Sequence, residues 1–277
     1  MGSLESATSS TKKYAKFFGL PLTPESLEKF LITPKPLKIP KNFKNSPKES
    51  RLIKSRQQIS QDKTKLLFSR LWLFRLIPTI DLVAITGSVA INNAVLADDI
   101  DLMIITKNNT LWLTRALIVI VLKIFGWRRG RGVIKDRICD NLYLDQSSLL
   151  IPRTKQNLYT AHEVLQIKPV IDRRHTYQRF IQSNSWTKNY LANAYKYCSS
   201  SFSSPKLGED TSLLRGGEVF VRAANFFFFH LQYHFMRSKI TNETVTLHSA
   251  SFHPHNLSRD LEDFLSRYNR GHAPRAV

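Results

Sequence analysis

Two short apolar runs constrain this chain more than any other feature: Asp81 to Thr86 (DLVAIT) and Asp101 to Thr106 (DLMIIT). Each is compact, rich in β-branched residues and bounded by polar or turn-forming residues, the pattern of a buried strand. The first ends in Gly87-Ser88. Ten residues later, Asp99-Ile100-Asp101 opens the second.

Side chains two apart on a strand point to the same side, about 6.5–7 Å apart along the backbone. Asp99 and Asp101 can therefore aim two carboxylates at one place, where they repel unless a proton or cation lies between them. Oxygen ligands on a rigid strand suit Mg²⁺ (or Mn²⁺), which also takes oxygens from substrate phosphates. Gly87 lets a phosphate approach the backbone and tolerates the dihedral angles of a tight turn. The Ser88 hydroxyl and the local N–H groups can donate to phosphate oxygens. Asp98 is expected to point away from the cation, as part of the loop.

Length and composition set the frame. The chain has 277 residues, enough for one or two domains at about 150 residues each. Hydrophobic residues make up 42% and charged residues 22%, a globular balance. Its two cysteines, Cys139 and Cys198, support neither a disulfide framework nor a zinc site by spacing, so a reducing, cytoplasmic setting is expected. A net charge of +20 favours polyanionic partners. The most apolar window, Ala116 to Leu122, is far short of the roughly 20 residues of a membrane span, so no span is expected.

Three regions are expected. Residues 1–48 hold a polar, unstructured tail, a small helix started by Thr23-Pro24, and a Pro/Lys-rich linker. Residues 49–155 hold a basic helix, the two strands, an apolar helix over 109–127, a basic loop carrying Arg128 and Arg129, and a third strand, Ile138 to Leu144 (ICDNLYL). Residues 156–277 read as helical, with Phe226–Phe229 and Tyr233 as core. His162-Glu163 lacks the second histidine of a zinc-protease helix, since Gln166 stands there, and reads as a packing or surface position.

The stretch GSVAINNAVLADDIDLMII resembles the signature of the DNA polymerase β-type nucleotidyltransferase superfamily. TPESLEKFL, ICDNLYL, LYTAHEVLQIKPV and SFHPHN extend the likeness to an uncharacterised group of bacterial nucleotidyltransferase-domain proteins. The resemblance implies an α+β fold: a nucleotidyltransferase core, with a small mixed sheet and flanking helices, followed by a helical C-terminal domain. It implies a metal held by Asp99, Asp101 and a third carboxylate from the third strand. Asp140 is the best candidate, Asp136 and Asp145 are alternatives, and the lack of a third ligand is the remaining case. Gly87, Ser88, Arg128 and Arg129 would hold an NTP.

The expected activity is transfer of a nucleoside monophosphate from an NTP to an acceptor hydroxyl. The charge favours RNA, tRNA included, over a small molecule as acceptor. The alternative is a catalytically degenerate nucleotidyltransferase fold that binds nucleic acid or regulates.

Overall fold

The computed structural model describes residues 2–39, 44–130, 132–200, 215–239, 244–251 and 257–271. Eleven α-helices and a six-stranded sheet form an α+β fold among these residues. The strands are β1 (Ile80–Ile85), β2 (Ile100–Thr106), β3 (Ile138–Asp145), β4 (Lys168–Asp172), β5 (Thr244–Val245) and β6 (Ser249–Ser251). Their order is β4-β1-β2-β3-β6-β5. Only β2 and β3 run parallel, and the other pairs are antiparallel. The parallel pair needs a crossover, supplied by the apolar helix α6 (Leu111–Ile124) in the numbering below.

Both expected strands lie within one residue of their sequence boundaries, because fully buried β-branched runs have no alternative face to offer. Val83, Ile85, Leu102, Ile104 and Tyr143 face one core. Leu82, Ala84, Met103, Ile105 and Leu144 face the other.

The first core is covered by α3 (Pro47–Phe68), α4 (Leu71–Arg75), α6 and α10 (Arg215–Met236). The second is covered by α7 (Leu158–Gln166), α8 (Thr176–Ser183) and α9 (Ala192–Ser200). A single turn, α5 (Gly87–Ala90), follows β1. The last helix is α11 (Leu257–Gly271).

Three expectations need correction. The polar tail is helical: α1 (Gly2–Phe17) buries Ala7, Thr11, Tyr14 and Ala15 along one face. Those positions follow a helical period, but small and polar residues conceal the stripe in a Ser/Thr-rich sequence. The small helix appears as expected, as α2 (Pro24–Lys29) with a Thr23/Ser26 capping box.

The region after residue 155 is not purely helical, since β4, β5 and β6 extend the sheet of the core. These strands are only two to five residues long, and β4 carries Pro169, which an edge strand tolerates.

The Phe226–Phe229 run is divided: Phe228 and Phe229 pack on the core, whereas Phe226 and Phe227 are exposed. The Ser-rich stretch SSSFSSPKLGE (199–209), which the sequence predicts to be a flexible break, lies largely outside the described residues.

Candidate functional site

Asp99 and Asp101 meet where β2 begins, beside the turn that leaves β1. Gly87 has φ +61, which a side chain rarely adopts, and a Cβ built there would lie 2.6 Å from Asp101 Oδ2. The glycine therefore serves both the turn and the close approach of backbone to carboxylate. Ser88 donates its hydroxyl to Asp98 Oδ2 at 2.7 Å, and the Val95 N–H donates to the same oxygen at 3.0 Å. Asp98 thus ties the loop between β1 and β2 together.

Helix α3 holds that loop from outside. The buried Lys63 ammonium donates to the Asp98 carbonyl at 2.7 Å, to the Leu96 carbonyl at 3.2 Å and to Asp136 at 2.7 Å. The Ala94 N–H donates to Ser60 Oγ at 3.1 Å. One buried lysine of the basic helix is therefore internal, and it fixes the backbone that presents Asp99.

Strand β3 lies beside the pair in parallel register, with Cys139 opposite Asp101 and Asp140 opposite Leu102. Ligand atoms of Asp99, Asp101 and Cys139 all lie within 4.8 Å of one another. A register irregularity after Leu102 inserts Asn141, whose Nδ2 donates to Asp101 Oδ1 at 2.8 Å. Asn141 Oδ1 is buried and accepts no hydrogen bond. Arg129 donates to Asp99 Oδ2 at 2.7 Å and approaches Cys139 Sγ at 3.8 Å.

Asp140 is not part of this cluster. Leu102 belongs to the opposite core, and Asp140 shares its side of the sheet. There it accepts from Arg128 Nε at 2.7 Å, from Arg128 Nη2 at 3.3 Å and from the Tyr143 hydroxyl at 3.1 Å. Arg128 is thereby committed to a structural pair, whereas Arg129 stays at the site.

The two alternative carboxylates are also engaged elsewhere. Asp136 pairs with Lys63. Asp145 accepts from the Asn109 N–H and from Ser147, and pairs with His248 Nδ1 at 2.7 Å.

The electrostatics follow from burial and crowding. Burial, then the Asp99 charge, raises the Asp101 carboxyl to about 7, against a thiol hydrogen bond from Cys139 that lowers it. Burial and the same two carboxylates push the Cys139 thiol up, so the metal-free protein keeps it protonated.

Glu163 on α7 is raised to about 7 as well, by burial first and by Asp101 second. Tyr159, one helical turn earlier, also feels both acids. His162 is a core residue: it stacks on Tyr14 at 3.8 Å between ring centroids, and burial lowers it to about 3. The sequence reads His162-Glu163 as a packing or surface position, because the relation of Glu163 to Asp101 depends on how a helix some sixty residues later packs. Its adjacency to His162 was the only local signal.

A cleft of about 1330 Å³ runs beyond the turn, lined by Ala90–Asn93, α2, α7 and α9. Lys29, Lys168 and Lys196 face it. Burial lowers both Lys29 and Lys168, and Lys29 lowers Lys168 further. Lys168 donates to Asn92 Oδ1 at 2.8 Å.

No protein-family model, curated protein or solved structure matches this chain.

Proposed function

We propose that the protein is a divalent-metal-dependent nucleotidyltransferase of the DNA polymerase β type, moving a nucleoside monophosphate from an NTP to an acceptor hydroxyl. The observation that carries this reading is the contact of the Gly87 turn with the Asp101 carboxylate, beside Asp99. That contact seats a turn only glycine fits against two carboxylates that repel each other without a cation.

Asp99 and Asp101 would hold Mg²⁺ or Mn²⁺, and the protonated Cys139 leaves a hard, oxygen-based donor set. Asn141, whose Oδ1 is buried and accepts no hydrogen bond, would add a third oxygen where its amide turns from donating to Asp101. When bound, the ion neutralises the triphosphate and stabilises the charge that builds up on it during transfer.

The turn at Gly87 and Ser88 would meet the phosphates through its N–H groups. Arg129, which pairs with Asp99 here, would be free to hold a phosphate oxygen where a cation takes that carboxylate. Glu163, raised to about 7 by burial and by the Asp101 charge, would in its ionised form be the base for the acceptor hydroxyl. The lysine-lined cleft beside the turn supports a polyanionic acceptor, and RNA fits that chemistry.

A second reading, a degenerate nucleotidyltransferase fold that binds nucleic acid, is favoured by one observation. Strand β3 offers Cys139 and Asn141 beside Asp101, and no carboxylate.

A labelled-NTP assay decides between them, with each of the four NTPs, Mg²⁺ or Mn²⁺, and total RNA or small-molecule extract as acceptor. Transfer that is lost in Asp101→Asn and falls about a hundredfold in Glu163→Gln supports the enzyme. Absence of transfer from every NTP, with salt-sensitive RNA binding unchanged in Asp101→Asn, establishes the binder.

A further inference from the structure

The side of the molecule away from the metal site leaves a large apolar face uncovered among the described residues. Helix α6 uses Trp112, Ile118 and Leu122 inward and exposes Leu117, Ile120 and Ile124 outward, with Ile124 75% exposed. Helix α10 packs beside α6, through Trp112 against Phe229 and through Asn225 and Gln232 to the Trp112 backbone. Its outer side presents Phe220, Phe227, Leu231 and Phe235, with Phe220 76% exposed. The face continues through Phe125 to the edge of Trp72 on α4, at 6.0 Å between ring centroids, and on to Leu76. Scattered apolar residues are normal on a protein surface, but exposed apolar residues at helical spacing on two helices packed against each other mark a binding surface.

The charge on this face selects its occupant. Lys123 on α6, Arg75 at the end of α4 and Arg237 just beyond α10 are exposed. Helices α4 and α6 contain no carboxylate, and α10 contains Glu218 alone. A second copy docking through the same face would set cations against cations. Aliphatic side chains such as Ile120, Ile124 and Leu76 offer no stacking surface to nucleobases. An apolar surface edged by arginine and lysine, with Trp72 and Phe125 among its aromatics, fits a bilayer surface rich in anionic lipid. Among the described residues no helix is long and apolar enough to cross a membrane, so the contact is one of lying on the surface.

We infer that the α4–α6–α10 face docks the protein peripherally on anionic membranes. The inference is independent of the nucleotidyltransfer reading, because it uses none of that site's residues.

The test is co-sedimentation of the full chain with phosphatidylcholine vesicles, with and without phosphatidylglycerol. The protein is expected to pellet with the anionic vesicles. Combining Leu117→Ser, Ile120→Ser and Ile124→Ser is expected to weaken that association about tenfold or more. Should that variant fail to fold, the wild type still reports: brominated acyl chains in anionic vesicles are expected to quench its tryptophan emission, and Trp72→Phe to remove most of the quenched component. Failure to pellet with anionic vesicles overturns the inference, as does pelleting that the folded triple variant retains in full. Concentration-dependent dimerisation without vesicle binding assigns the face to a second copy instead.

Discussion

Asp101 and Asp140 are the same residue type on adjacent strands, one register step apart, yet the sheet sends them to opposite cores. Asp140 meets its counter-charge inside the fold: Arg128 engages both carboxylate oxygens and the Tyr143 hydroxyl adds a third donor. Asp101 meets a second carboxylate, an amide and a thiol, and the one arginine nearby is spent on Asp99. A carboxylate whose charge is matched within the chain is structural. One raised to about 7 by burial and a like charge is positioned for a proton or a cation from outside.

Substitutions at these two residues should separate function from stability. The largest effect is expected for Asp101→Asn, which removes the proposed cation ligand: the proposed transfer is expected to fall about a thousandfold, the rate equivalent of several kcal/mol of transition-state stabilisation. Its thermal stability in the metal-free protein is expected to hold or rise, because a repelled charge is gone. Single-turnover transfer and calorimetric melting on one preparation measure both.

Asp140→Asn should do the reverse. It leaves Arg128 facing a neutral amide in a buried pair and costs about 3 kcal/mol of stability. Transfer per folded molecule is expected to stay within about twofold of wild type below the melting range, where the pair makes no contact with reacting groups. Denaturant melts alongside the transfer assay check this, and a thousandfold loss of activity in a folded Asp140→Asn protein would erase the distinction.

Gly87→Ala sharpens the comparison from the backbone side. A methyl group at φ +61, aimed 2.6 Å from Asp101 Oδ2, must displace the carboxylate or strain the turn. A stability cost of about 1–2 kcal/mol is expected, with cation affinity falling about tenfold. Calorimetric titration with Mn²⁺ reads the second effect.

The smallest effect is in pH dependence. The Asp101 carboxyl rises in the folded chain from an ordinary 3.8 to about 7. The folded protein therefore binds that proton more tightly than the unfolded chain does. Its stabilising contribution is complete below about pH 4 and is lost as pH rises through 7. Metal-free melting temperatures should fall across that window. Asp101→Asn is expected to reduce the slope by about one proton, leaving the share due to Glu163.

The sequence made one side of the site legible and hid the other. Gly87, Asp99 and Asp101 fall within a short stretch whose strand period and turn chemistry are local, so spacing alone brought them together. The third strand was also legible as a strand. The side from which Asp140 projects was not, because that depends on the parallel pairing with β2 and on the irregularity at Asn141.

The same limit applies to Arg128 and Arg129, neighbours in sequence that the fold assigns to Asp140 and Asp99 respectively. Glu163 and the clamp from Lys63 rest on helix packing across long sequence separations, which no local pattern encodes. α1 was missed for a related reason: its buried face is built from Ala7, Thr11 and Ala15, residues that signal burial only once a partner surface exists.

The central claim is that Asp101, with Asp99, binds a divalent cation and that Asp140 does not. Electron paramagnetic resonance of Mn²⁺ titrated into wild type, Asp101→Asn and Asp140→Asn tests it directly. The account predicts saturable Mn²⁺ binding by wild type and by folded Asp140→Asn, and its loss in Asp101→Asn. Binding that survives Asp101→Asn, or that vanishes in a folded Asp140→Asn protein, would contradict it.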